Sequence, residues 1–421
     1  MNIALTQQQA RIEAERCLQC FDAPCEQACP THIKIPTFIS MIRSGNIIGA
    51  SEVVRTSHAL VNVCGKICPE ETFCQSVCTR SKQDDPIKIR ELHFFATQEE
   101  AKRGFVSTLP FPKSKKKVAV IGAGPSGLGC AFELAKLGYQ VDVFDKGKQG
   151  GVPSKSIPAF RLADKELESD TKFLSKYFSF KKKTINGNAF SQIQKSYNAT
   201  FLAVGLGKDR PVEIPGEKLK GVLPVLDFLE SAKMNPRKMK VGKNVVIIGG
   251  GNVSLDAAAT AKRLGAESVI LIYRRSEKEM RVWKAELEEA RKQRVEIRFL
   301  TIPVALIGKK SVEGIKCRRT RLGKQKDKSG RAIPIEVKGS DFILEAATVI
   351  VAIGQSIAAD WLEGFEREKG YIKVDMNFRT SQKGVFAGGD MIAGEGTIVQ
   401  SVAQGKHAAQ AIHEFISGKQ R

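Results

Sequence analysis

Along the first hundred residues, apolar positions recur in short amphipathic stretches, as at Pro36 to Ile42 and Ala50 to His58. No continuous apolar run of strand type interrupts them, so the pattern predicts a mostly helical region. A linker-like passage follows from Arg103 to Lys117, carrying Pro110, Pro112 and a lysine cluster. The pattern then changes. Lys117 to Ile121 reads as a buried strand, Leu128 to Leu137 has helical spacing, and Gln140 to Phe144 is a second strand ending at Asp145. The same order recurs as Asn244 to Ile248, Leu255 to Leu264 and Ser268 to Tyr273, so two β-α-β units are expected. Val295 to Leu300, Gly314 to Thr320 and Asp341 to Leu344 read as strands around the charged hairpin Lys324 to Arg331. Thr348 to Ala352 and Gly384 to Ala387 are strands that run into glycine, and Gly405 to Ile416 is the closing helix.

In each unit a glycine run lies directly between strand and helix: Gly122-Ala123-Gly124-Pro125-Ser126-Gly127 and Gly249-Gly250-Gly251-Asn252-Val253-Ser254. In that context the missing side chains admit a pyrophosphate to the backbone, and the helix N-terminus faces its charge. Ser254 replaces the third glycine of the second run and is small enough for close packing of helix on strand. Two dinucleotide sites follow. The strand ends tell them apart. Asp145 offers a carboxylate to ribose hydroxyls and repels an added 2′-phosphate, which suits FAD. Tyr273-Arg274-Arg275-Ser276, with Arg281 nearby, puts cations in the equivalent place, which suits NADPH. A charge-assisted hydrogen bond contributes about 1.5–3 kcal/mol. Loss of either arginine is therefore expected to weaken phosphate recognition about ten- to hundredfold.

Eight of the ten cysteines lie between Cys17 and Cys78, spaced Cys17-x2-Cys20-x4-Cys25-x3-Cys29-Pro30, Cys64-x3-Cys68-Pro69 and Cys74-x3-Cys78. Such density in an intracellular chain points to metal or cluster binding. Zinc is usually held by paired C-x2-C units, and the second half of the pattern has none. Runs closing in Cys-Pro point instead to two [4Fe-4S] clusters, with the last thiolate of a run crossing to the other cluster. The ligand set stays open at one position: Cys64, one helical turn before Cys68, is either a ligand or a buried bystander, and His93 competes for that place. Between Gly122 and Arg421 no C-x4-C or C-x2-C pair exists to act as a redox-active disulfide. Electrons taken from a nicotinamide are thus expected to leave through the clusters, with a flavin converting a two-electron donor into single electrons. No catalytic nucleophile is expected.

The 421 residues are 42% hydrophobic and 27% charged, a globular composition. The formal net charge of +22 favours anionic partners. Its short basic clusters, Lys113 to Lys117, Lys181 to Lys183, Arg237 to Lys243 and Arg318 to Lys328, lack interleaved aromatics and read as solvated surface, not a nucleic-acid platform. A non-catalytic basic scaffold holding zinc or one structural cluster is the competing class. No run approaches the roughly 18 apolar residues of a membrane span. The start, Met1 to Gln7, lacks a secretory signal, so a cytoplasmic protein without membrane contact is expected.

Arg16-Cys17-Leu18-Gln19-Cys20, Asp22-Ala23-Pro24-Cys25, Cys29-Pro30-Thr31, Ile157-Pro158-Ala159-Phe160-Arg161-Leu162 and Phe386-Ala387-Gly388-Gly389-Asp390 carry a more specific likeness. Over nearly its full length the chain resembles the amino-terminal half of dihydropyrimidine dehydrogenases and their stand-alone PreT-type subunits. The glutamate synthase small subunit looks like a more general relative. The resemblance implies a multidomain α+β fold: a helical two-[4Fe-4S] domain, then two Rossmann-like α/β domains in which an FAD domain is interrupted by an NADPH domain. The expected boundaries are 1–112 for the iron–sulfur domain, 113–225 and 348–421 for the FAD domain, and 226–347 for the NADPH domain. It further implies that Cys17, Cys20, Cys25 and Cys78 hold one cluster, and Cys29, Cys68 and Cys74 the other. His93 matches the position of the family's glutamine ligand, which favours it over Cys64. By the same likeness Gly122, Gly124, Gly127, Asp145, Gly151, Arg161, Gly389, Asp390 and Thr397 would contact FAD. Gly249, Gly251, Asn252, Arg274, Arg275, Arg281 and Gly354 would contact NADPH. The chain ends at Arg421 without the family's FMN barrel, so a separate FMN-containing subunit in a hetero-oligomer is the expected partner, reducing uracil or thymine. Service to a glutamate-forming large subunit is the in-class alternative.

Overall fold

The computed structural model describes residues 5–103, 111–112, 114–327, 329–394 and 396–418. Met1 to Ala4, Pro110 and Lys113 of the expected linker, and Lys328 lie outside the described residues. The chain forms two compact units. One contains 1–154, 159–206 and 357–421, and the other 155–158 and 207–356. Among the described residues no helix is long and apolar enough to cross a membrane.

The first unit begins with six α-helices: α1 (Gln7–Glu15), α2 (Pro24–Ala28), α3 (Ile35–Arg43), α4 (Ile47–Ser57), α5 (Val61–Ile67) and α6 (Ile89–Lys102). The amphipathic stretches predicted at Pro36 to Ile42 and Ala50 to His58 are α3 and α4, each slightly longer than expected. A capping box, Thr6 with Gln9, starts α1. Phe38, Ile39 and Ile42 of α3 pack with Val54 of α4 and Leu92 and Phe95 of α6, and these buried side chains make the core on which the cysteine turns rest.

The same unit continues into β1 (Lys117–Ile121), α7 (Pro125–Lys136) and β2 (Gln140–Asp145). Here α7 starts three residues earlier than its apolar spacing suggested, because Pro125 is preset for the first helical position and donates no N–H. The all-parallel sheet runs Val385–Ala387, Ala199–Leu202, β1, β2, Ser179–Lys182. A closing helix, Ile398–Ser417, reaches two turns further toward its start than the expected Gly405 to Ile416. Its capping box, Thr397 with Gln400, explains the difference, since that signal lies outside the apolar repeat.

Buried polar contacts tie the helices of this unit to one another. Asp170, fully buried, accepts from the backbone N–H of Asn62 at 2.9 Å and of Val63 at 3.0 Å. Those are donors that the first turn of α5 cannot satisfy internally. Arg55 pairs with Glu100 at 2.6 Å, both side chains almost wholly buried.

The second unit has its own parallel sheet, ordered Val222–Pro224, Thr348–Ala352, Asn244–Gly249, Ser268–Ile272, Glu296–Arg298. Helix Asn252–Arg263 follows the strand Asn244–Gly249. An antiparallel layer adds Thr301–Ile307, Gly314–Lys326, Ala332–Glu336 and Phe342–Glu345. The expected charged hairpin is the connection between the second and third of these strands. The strand expected over Val295 to Leu300 is the shorter Glu296–Arg298; Leu300 turns the chain at φ +52°, and the next strand, Thr301–Ile307, was not expected.

Candidate functional site

In the first unit the glycine loop is shaped by what its neighbours leave no room for. A Cβ on Gly122, at φ +108°, would lie 2.2 Å from the Ala203 carbonyl oxygen, and one on Gly127 would lie 1.9 Å from the Gly122 oxygen. These two glycines serve packing. Gly124 differs, because a Cβ there meets only Gly151 Cα at 3.9 Å. Gly151, at φ +61°, faces it from the other side, so the pair lines a concave strip of bare backbone at the start of α7. Asp145 braces the strip: its carboxylate accepts from Ala123 N at 2.8 Å and from Gly147 N at 2.7 Å. Each carboxylate oxygen keeps a lone pair for a ribose hydroxyl.

Ser126 was not singled out by the sequence. Its Oγ is buried at the first turn of α7 and has no hydrogen-bond partner. A Cβ on Gly389 would lie 3.0 Å from Ser126 Cβ, so Gly389, at φ +79°, and Asp390 close the same strip from the carboxyl-terminal side. Thr397 caps the closing helix one residue after Gly396, whose Cβ would stand 4.0 Å from the Asp390 carboxylate. The structure thus brings together Gly122, Gly124, Gly127, Asp145, Gly151, Gly389, Asp390 and Thr397. Arg161 sits half-buried in the turn ahead of helix Asp164–Leu174. An orphaned hydroxyl and a glycine-lined strip at a helix N-terminus fit a dinucleotide pyrophosphate.

The second loop repeats the packing. A Cβ on Gly249 would lie 2.3 Å from the Ala352 carbonyl oxygen, and one on Gly250 would lie 2.2 Å from the Tyr273 ring. Gly251 has nothing within 4 Å, and neither does Gly354, which follows the neighbouring strand at φ +109°. Ser254 is fully buried and donates to Gly251 O, so the serine in place of the third glycine ties the loop to its helix. Asn252 accepts the Trp283 amide at 3.0 Å, and Gly251 bridges to Arg281, which fixes the segment carrying that arginine beside the loop.

The two arginines at the strand end part company. Arg274 is exposed as a residue, while partial desolvation of its guanidinium, with the neighbouring Arg275 and Arg331 cations, holds that group below the ordinary arginine range. Arg275 is 2% exposed, pairs with Asp327 at 2.6 Å and donates to Ala332 O at 2.9 Å. The side chain of Arg275 is therefore already engaged in joining the sheet to the antiparallel layer. Arg331 is the cation that the sequence reading passed over; it lay in a charged hairpin where nothing distinguished it from its neighbours.

The eight amino-terminal cysteines fall into two groups. Cys17, Cys20, Cys25 and Cys78 line one cavity with Pro24, Ile35, Ile39, Ile87 and Ile89. Burial, then repulsion from Cys17 and Cys78, pushes the Cys25 thiol up to about 12. Cys29, Cys68 and Cys74 form the other group. Burial pushes Cys68 up to about 12, with Cys29 contributing, and raises Cys74, which also feels Glu70, Cys68 and Cys29. Cys64 belongs to that neighbourhood too: burial raises it, with Cys68, Asp170 and Cys29 adding. His93 is 6% exposed, and its Nε2 has no partner. Burial lowers its ring to about 3, while the Val61 backbone offers the ring an acceptor. One nitrogen supported and the other left bare is how a histidine is prepared as a metal ligand. The donor set, thiols with one imidazole in apolar surroundings, fits iron–sulfur clusters. Among the described residues no three His, Cys, Asp or Glu side chains converge as a single-ion site would require.

Comparison with known proteins agrees with this division. Residues 1–105 match the family described as dihydropyrimidine dehydrogenase domain II, 4Fe-4S cluster, and 116–411 match pyridine nucleotide-disulphide oxidoreductase. The chain is 35% identical to a glutamate synthase [NADPH] small chain of Halomonas elongata, over 97% of this chain and 91% of that one. It is 34% identical to the NAD-dependent dihydropyrimidine dehydrogenase subunit PreT of Escherichia coli, over 99% and 96% respectively. In fold it is similar to Mycobacterium tuberculosis FprA in complex with NADPH, with a TM-score of 0.64 at 20% identity over 72% of this chain and 85% of that one. With two glycine loops on parallel sheets and two groups of thiols on a helical layer, the chain belongs to the pyridine nucleotide-disulphide oxidoreductase family, as an FAD- and nicotinamide-dependent member that carries 4Fe-4S clusters.

Proposed function

We propose that this protein is a cytoplasmic electron-input subunit that oxidises NADPH and delivers single electrons to an FMN-containing partner, which reduces uracil or thymine. The observation that carries the reading is the coexistence in one chain of two dinucleotide loops with two separate thiol groups, and of no second cysteine near Cys130 or Cys317 in the sequence. FAD would supply the conversion from a two-electron donor to one-electron acceptors. The chain's own residues bind and orient. Gly124, Gly151 and the Ser126 hydroxyl would receive the FAD pyrophosphate, with Asp145 on the ribose and Arg161, Gly389, Asp390 and Thr397 along the rest. Gly251, Asn252 and Gly354 would receive the NADPH pyrophosphate. Arg274, with Arg281 and Arg331, would hold its 2′-phosphate, while Arg275 keeps the strand end in place. Cys17, Cys20, Cys25 and Cys78 would hold one cluster, and Cys29, Cys68, Cys74 and His93 the other, leaving Cys64 as a buried neighbour. In domain terms these are 1–112 for the clusters, 113–225 with 348–421 for FAD, and 226–347 for NADPH.

The test is reconstitution with the partner that copurifies. NADPH-driven reduction of uracil or thymine by the pair supports the reading, and a partner that forms glutamate from glutamine and 2-oxoglutarate replaces it. That second reading is favoured by one observation, the 35% identity to a glutamate synthase small chain.

A further inference from the structure

The closing helix Ile398–Ser417 packs against α7 with backbone close to backbone. A Cβ on Gly405 would lie 2.0 Å from Ser126 O, and one on Gly129 would lie 2.8 Å from Val402 O. Two glycines at one crossing let the two backbones pack closely, and Lys406 follows directly on Gly405 in that contact. Lys406 Nζ donates to the Thr31 carbonyl at 3.1 Å. Thr31 is fully buried, and its Oγ1 lies 3.4 Å from Cys29 Sγ. A thiolate bound to iron has no proton, so in the loaded protein this hydroxyl donates to the sulfur.

A further donor lies beside Lys406. His58, 2% exposed, accepts the Leu60 amide at Nδ1, so its neutral ring carries the proton on Nε2, which has no protein partner. The neighbours of that ring include His93 and Lys406. A carboxylate that Lys406 feels, Glu133, is held by Lys136 at 2.9 Å. Cys29 thus sits where an added negative charge meets the Thr31 hydroxyl and feels the Lys406 ammonium, which is carried by the helix that Thr397 caps and which holds the Thr31 carbonyl.

Resting on the cluster assignment proposed above, we infer that Thr31 and Lys406 are positioning residues that raise the reduction potential of the cluster bound by Cys29, leaving the Cys17 cluster untouched. Reduction adds one electron and one negative charge to the cluster. A donor to its thiolate and a nearby cation stabilise the reduced form more than the oxidised one.

The experiment is an anaerobic potentiometric titration of the purified, cluster-loaded full chain, read by electron paramagnetic resonance. The signal of the second cluster is identified as the one altered in Cys29→Ser. Thr31→Val should make that cluster about tenfold harder to reduce, a fall of about 59 mV for one electron. Lys406→Met should shift it in the same direction. Thr31→Ser and Lys406→Arg, which restore hydroxyl and charge, should stay within a few-fold of the parent, and the Cys17 signal should not move in any variant. An unchanged or raised potential, or an equal shift of both signals, overturns the inference. If the parent protein contains no iron and sulfide, the cluster assignment falls and takes the inference with it; normal signals without a selective shift overturn the inference alone.

Discussion

The two dinucleotide loops are built on the same backbone rule and separated by what stands at the end of the next strand. In each, the first glycine abuts the carbonyl of the adjacent parallel strand, Ala203 O for Gly122 and Ala352 O for Gly249. In each, a later glycine has room for a side chain: Gly124, where a Cβ would touch only Gly151 Cα at 3.9 Å, and Gly251, where nothing lies within 4 Å. The strand ends then diverge: Asp145 accepts two amides of its own loop, whereas Arg274 stands exposed among Arg275 and Arg331. Glycines of the first kind belong to the fold. In the proposed reading those of the second kind would face the ligand, and the strand-end side chain would select which ligand.

The comparison can be broken most severely at a packing glycine. Gly122→Ala forces a Cβ into a carbonyl at a backbone angle that L residues rarely adopt, and should cost about 4 kcal/mol or more of stability, seen as flavin-free, aggregating protein. Gly251→Ala should fold with an unchanged melting temperature yet bind NADPH much more weakly. Equal melting temperatures for the two variants would erase the distinction between them.

The first unit differs again in anchoring the cysteine helices. Asp170→Ala strands two buried amide donors of α5, and at about 1–3 kcal/mol for each lost partner it should destabilise by about 3 kcal/mol in denaturant unfolding. Asp170→Asn, which keeps an acceptor oxygen, should cost less. The strand-end contrast is sharpened by the two arginines. Arg274→Ala should raise KM for NADPH about ten- to hundredfold and leave NADH turnover nearly unchanged. Arg275→Ala should instead lower the melting temperature, with the NADPH-to-NADH preference retained; a loss of that preference would return Arg275 to the phosphate site.

Three strands of the first parallel sheet, four of the second and the helical character of the amino-terminal region follow patterns visible in the sequence, because buried strands and glycine runs are local signals; the fully buried Ala199–Leu202, only four residues long, was missed. Short elements escaped. Val222–Pro224 and Ser179–Lys182 are three or four residues long and mostly polar or half-buried, so tertiary pairing makes them strands, not their own apolar content. The first two turns of the closing helix were hidden because a capping box carries no apolar period. At the sites, glycine and cysteine spacing was informative, while the division of labour between Arg274 and Arg275 was not. Which of two adjacent arginines is buried depends on Asp327 and Ala332, more than fifty residues away along the chain. Ser126, Thr31 and Lys406 were silent for the same reason.

The most direct test of the whole account is an anaerobic titration of the purified chain with NADPH, following flavin absorbance and paramagnetic iron together. The account predicts that the flavin bleaches and that a reduced-cluster signal rises in the same titration, with NADH far less effective. Bleaching with no iron signal at any potential, or iron bound without sulfide, would contradict it.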